Sequence, residues 1–240
     1  MLGAMNARGD DAPLLDALDA AEACLDDGDF AGARRALARA AELAGEGDPS
    51  VLYLEACLVW EERGANAAQR LLERVIAADP RHADAHYALA CVAEERDDRE
   101  AMIEHYLHVH RLDARDDREA RLGGREQLDR IERVAHEVLS ALPSPFAERL
   151  EHVPVMLERR PSRELVREGF DPRALGLFEG ATDGDLSTPQ PTRVVLFANN
   201  LLADFPDGEE LDEQVEITLL HEIGHFFGLE EADMERLGLD

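Results

Sequence analysis

LLHEIGHFFGLEEAD, residues 219–233, places His221 and His225 one helical turn apart and Glu222 directly after the first histidine. Side chains four residues apart project from the same face of a helix, so both imidazoles can reach one Zn2+ ion at about 2.0–2.1 Å. Glu222 then stands beside the metal rather than on it, where a carboxylate is suited to taking a proton from metal-activated water. HExxH alone is short enough to arise by chance on a polar helix face, but its surroundings strengthen the metal reading. Asp207 followed three residues later by Glu210 forms a capping-box pattern that opens a long helix. Gly228 can take the left-handed conformation that ends the helix and turns the chain back. Glu231, ten residues after His221, can then return to complete a three-ligand site, with Asp233 as a rival. The chemistry would be hydrolysis.

Upstream of that helix the pattern alternates between strand and helix. RVVLFAN (193–199) is the clearest strand in the chain, and LGLFEG (175–180) is a second candidate. HVPVMLE supports a strand from Val153 to Leu157, with Pro154 better suited to a sheet edge than to its centre. PSRELVREG reads as a short helix begun by Ser162, and DGDLSTPQPT (183–192) as a loop. Leu128, Ile131, Ala135, Val138 and Leu142 recur at helical spacing until Pro143 and Pro145 stop the helix. These elements predict a small α+β domain over residues 128–240, joined through a charged, glycine-containing linker at 117–127.

This half of the chain resembles the minimal zincin-like metallopeptidases, small domains with a short sheet and a helix carrying HExxHxxGxxD. The resemblance runs through ALPSPFAERLEHVPVMLE, LGLFEG, RVVLF and EQVEITLLHEIGHFFGLEEADMERLG. It implies zinc ligands at His221, His225 and the acid at 231, which is Glu here where the family usually has Asp, with Glu222 as catalytic base. Zincins bind extended substrate by edge pairing, a role the resemblance gives to the strand from Val194 through Asn199. The domain has no tyrosine, so no oxyanion-stabilising side chain is identified.

The first half repeats. A shift of 34 residues lays Tyr53 on Tyr87, Ala56 on Ala90, Cys57 on Cys91, Val75 on Val109 and Asp79 on Asp113. An earlier unit lays Ala33, Leu37 and Ala40 on Ala68, Leu72 and Val75 at a spacing of 35. Each unit reads as two amphipathic helices with small residues at their crossing. This resembles the tetratricopeptide repeat over residues 14–116 and implies an all-α solenoid whose concave side holds a peptide or a neighbouring domain. Tyr53, Trp60, Tyr87, Glu61, Glu94 and Glu95 are candidates to line it. His105 and His108, three apart beside Glu104, could share a metal, but no third ligand is evident and a packed or solvated helix face is the better reading.

Composition narrows the partners. There are 53 acidic residues against 25 basic ones, all of them Arg, for a formal charge of -28. Such a chain excludes nucleic-acid and anionic-membrane binding and favours cationic partners, including basic peptides. No apolar run approaches a membrane span and no secretory signal is evident, so a cytoplasmic protein is expected. Cys24, Cys57 and Cys91 have no CxxC spacing and read as small core residues. The expectation is a repeat scaffold for protein or substrate recruitment joined to a zinc-dependent metallopeptidase. The alternative is a protein-binding adaptor with a structural zinc site, in which Glu222 would have no task.

Overall fold

The computed structural model describes residues 12–180 and 192–237, with the side chains of Glu231, Glu235 and Leu237 outside the description. The fold is α+β. Contacts divide the chain into two compact units, residues up to Asp113 with Val166–Gly169, and Ala114–Leu165 with Phe170 onward.

The first unit begins with α1 (Ala12–Asp26), α2 (Phe30–Ala44), α3 (Pro49–Arg63), α4 (Ala65–Ala78) and α5 (Ala83–Glu95), followed by α6 (Arg99–Ala120). The starts of α3 and α5 are 34 residues apart, as are those of α4 and α6. Burial follows the same step. Ala33, Leu37 and Ala40, then Ala68, Leu72 and Val75, then Met102, Tyr106 and Val109 are all buried. Ala21, Ala56 and Ala90 are each 0 % exposed, which lets neighbouring helices approach closely where they cross. The core is built in successive segments, one around Leu18, Leu37 and Val51, the next around Leu52, Leu72 and Leu89, the third around Ala90, Met102 and Tyr106. Each helix therefore buries its apolar stripe mainly against its neighbours in sequence, the packing mode of repeat proteins.

A histidine from α5 joins the two on α6. His86 is 5 % exposed, its Nδ1 lies 3.0 Å from Nδ1 of His105, and its ring stacks on His108 at 4.6 Å. His86 Nε2 lies 3.2 Å from the Pro80 carbonyl, which can only accept, so Nε2 carries the proton and Nδ1 presents a lone pair to His105. Burial pushes the His86 imidazolium down to about 4, reinforced by His108, His105 and Arg111, while the Pro80 carbonyl opposes the shift. Burial also lowers His105, against the opposing pull of Glu104 and Glu73. Below the ordinary histidine range near pH 6.5 the unfolded chain takes up a proton that the folded unit refuses. This part of the stability is therefore complete above about pH 6.5 and is lost as the pH falls toward about 4. Denaturant titrations at pH 7 and pH 4.5 should show a smaller loss on acidification for His86→Gln than for the parent. Equal losses would place the acid sensitivity elsewhere.

The second unit continues from the end of α6 with α7 (Arg125–Ala141), α8 (Ser144–Leu150), β1 (Val155–Glu158), α9 (Arg163–Arg167), β2 (Gly176–Glu179) and β3 (Arg193–Phe197). It closes with α10 (Ala198–Asp204), α11 (Gly208–Phe226) and α12 (Glu231–Leu237). The segment expected as a linker, 117–127, is helical at both ends, since α6 runs to Ala120 and α7 starts at Arg125. Most of the loop expected at 183–192 lies outside the described residues. The sheet has the order β1-β3-β2, with β1 parallel and β2 antiparallel to β3. This corrects the expected role of Val194–Asn199. Val194–Phe197 pair on both sides and are buried, and Ala198 and Asn199 already belong to a helix, so β3 has no free edge for a substrate. Pro154 stands just before the edge strand β1, and its carbonyl accepts from Val194 N at 3.0 Å.

Packing on this sheet seats α11. Val215, Leu219 and Ile223 recur every four residues, forming an apolar face that packs with Ile131 of α7 and with Val194 and Leu196 of the sheet. At its N-terminus, Asp207 accepts from Glu209 N at 2.8 Å as the cap. Arg130 of α7 donates to both carboxylate oxygens of Asp212, at 2.6 and 2.8 Å, and to the Gly208 carbonyl at 2.6 Å. Among the described residues no helix is long and apolar enough to cross a membrane.

Candidate metal centre

The last two turns of α11 carry the motif. His221 Nε2 and His225 Nε2 lie 3.0 Å apart, with the rings edge to face at a centroid distance of 4.7 Å. Two nitrogens on one tetrahedral zinc, each at about 2.0–2.1 Å, sit a little over 3 Å apart, so the pair fits one cation.

Glu222 lies on a neighbouring face and is 8 % exposed. β2 passes directly over it. A β-carbon added at Gly176 would stand 2.8 Å from both Cγ and Oε1 of Glu222 and 2.9 Å from Cγ2 of Thr218. Gly176 is thus the residue that allows the strand to lie against the carboxylate. Nothing in the one-dimensional pattern of LGLFEG distinguishes this glycine from a turn residue. The pairing of β2 onto β3 is what brings it there.

A cleft of about 550 Å³ opens over Glu222 and His225. Phe170, Ala174, Leu177, Phe178 and Leu229 give it apolar walls. Its rim depends on a buried network that composition does not reveal. Asn200 at the start of α10 donates to the carbonyls of Pro172 at 3.0 Å and Ala174 at 2.6 Å, holding the approach to β2. Asn200 Oδ1 accepts from Arg160, which makes a two-bond pair with Asp117 at 2.6 and 2.7 Å. Asn199 donates to the same Asp117 carboxylate at 2.9 Å.

Beyond the motif the helix ends as the glycine predicts. Gly228 has φ +77°, Gly228 N donates to His225 O and Leu229 N to Gly224 O, both at 3.0 Å. These two bonds are the Schellman pattern, which reverses the chain onto the helix it has just left. Glu231 then opens α12; its side chain lies outside the described residues. The rival acid is engaged elsewhere. Asp233 accepts from the backbone of Glu230 at 3.2 Å, the return half of a capping box, and pairs with Arg236.

Among the described residues no group of three or more His, Cys, Asp and Glu side chains is arranged to hold a metal. His86, His105 and His108 pack together as an imidazole cluster. For α11 the described donors are His221 and His225.

Residues 150–239, somewhat over a third of the chain, match the family model of the zincin-like metallopeptidases. No curated protein matches the chain. The matched segment takes in β1 through α12, and with them the HExxH helix and the strand over Glu222.

Proposed function

We propose that the second unit is a zinc-dependent metallopeptidase and that the repeats of the first unit recruit or orient its protein substrate. The observation that carries the reading is Glu222, a buried carboxylate that lines an apolar cleft with His225, whose imidazole converges on that of His221. A carboxylate at this place can take a proton from metal-activated water, and a purely structural metal site has no need of one there. This favours the enzyme over the adaptor.

His221, His225 and Glu231 would hold the zinc. When bound, zinc polarises the scissile carbonyl and brings the pKa of water toward about 7. Glu222 accepts the proton of the attacking water as the water oxygen bonds to the carbonyl carbon. The same carboxyl then returns the proton to the amide nitrogen as the C–N bond breaks, leaving a carboxylic acid and an amine that ionise to carboxylate and ammonium. The family match and the occupied Asp233 both support Glu231 as the third ligand. Substrate pairing moves from β3 to β2. Among the described residues no strand covers the outer edge of β2, which borders the cleft, so an extended peptide can add there. The apolar walls suit a large apolar side chain beside the scissile bond. The twelve acidic residues between Asp207 and Asp240, against one Arg, favour basic residues flanking it.

Elemental analysis of the purified full chain should find about one zinc per molecule. Digestion of a peptide library should stop on chelation and resume on adding zinc. Zinc without hydrolysis would favour the adaptor. In competition with a chelator, Glu231→Ala should weaken zinc by well over tenfold, with little change for Asp233→Ala. The opposite ranking would reassign the third ligand and leave the histidines in place.

A further inference from the structure

Gly224 lies in the interior of α11, between Glu222 and His225, where glycine costs about 1 kcal/mol relative to alanine. Its surroundings account for it. A β-carbon at Gly224 would run into the thioether of Met234, meeting Sδ at 2.6 Å, and would touch Leu229 Cδ1 at 3.5 Å. Met234 is 0 % exposed, and it reaches this notch from α12, three residues after Glu231. The Schellman turn delivers the chain to that point, and its second bond ends on the carbonyl of Gly224 itself. One backbone position of the metal-binding helix thus receives both the turn and the returning helix. α12 spans seven residues, too short to be stable alone, so this contact and its capping box hold it.

We propose that Met234 is a positioning residue for metal binding: seated in the notch left by Gly224, it docks α12 on the motif helix and sets how Glu231 approaches His221 and His225. The proposal rests on the reading of those three residues as ligands. It explains why a flexible thioether, able to fill an irregular gap, stands where the fit to a backbone is closest. It also explains why the helix tolerates a glycine one residue before a ligand.

The test uses the full chain and two readouts independent of catalysis, zinc affinity by chelator competition and backbone amide exchange over residues 229–237 of the metal-free protein. Gly224→Ala adds a methyl group in the notch while improving helix propensity. It should weaken zinc by about 10- to 100-fold, the range found when the supports of metal ligands are removed, and should speed exchange in α12. Gly224→Ala combined with Met234→Ala restores space and should recover most of the lost affinity, an interaction between neighbours that separate effects would not produce. If the parent binds zinc and Gly224→Ala binds it equally well, the proposal fails and the ligand reading stands. Faster exchange with unchanged affinity would make the contact structural only and also overturn it. Lost affinity that the double variant does not recover would place the fault in the added methyl group, not in Met234. A parent that binds no zinc would remove the ligand reading and the proposal together.

Discussion

Glu222→Gln is expected to lower peptide hydrolysis by at least about a hundredfold while leaving zinc content unchanged. The substitution keeps the size and shape of the side chain, which matters because Gly176 and Thr218 leave it no spare room. What it removes is the ability to accept a proton and return it. A carboxylate that ligated the metal would behave differently, since its loss would lower zinc affinity as well as rate. Parallel measurements of bound zinc and of hydrolysis separate the two roles. Hydrolysis surviving at parental rate would take Glu222 out of the mechanism. Gly176→Ala offers a graded comparison, because it crowds the carboxylate without changing its chemistry.

The parts of this molecule that could be read from sequence are those whose physics is local. The 34-residue step predicts where helices start, because each repeat buries the same face against its neighbour, and α3 to α6 keep that step. The Asp207 cap and the left-handed Gly228 likewise depend on a few adjacent residues, and both ends of α11 follow them. The reading runs out where distant segments meet. RVVLF is recognisable as a strand, but that β1 and β2 flank it on both sides depends on strand order, which no periodicity encodes. Edge pairing therefore fell to the wrong strand. The spacing of His105 and His108 was visible, whereas His86 reaches them from another helix. Glu222 was legible as a candidate base from its motif. Gly176 above it and Met234 beneath Gly224 were not, since each matters only through a contact made across the fold.

The same limit applies to Asp117, which in sequence is one acid in a charged run and in the fold is a buried partner of Arg160. The two side chains are 8 % and 9 % exposed, and the pair makes two hydrogen bonds. Asp117→Ala is expected to destabilise the second unit by about 3–5 kcal/mol, because it removes a two-bond carboxylate partner from a buried guanidinium rather than a favourable surface contact. That is a large share of the roughly 5–15 kcal/mol that holds a domain folded. Thermal denaturation of the variant should therefore begin lower by more than about 10 °C. The comparison that isolates the buried charge is the double change Asp117→Leu with Arg160→Met, in which both charges leave together and the apolar replacements fill the space. It should recover much of the loss. Asn199 loses Asp117 in either case, whereas Asn200 loses Arg160 only in the double variant, and Asn200 holds the Pro172 and Ala174 carbonyls at the rim of the cleft. A recovered fold with a weakened grip on peptide would then show that the charge pair serves the rim as well as the core. An Asp117→Ala protein as stable as the parent would mean that Arg160 finds water or another acid, and that the network is not what holds β2 over Glu222.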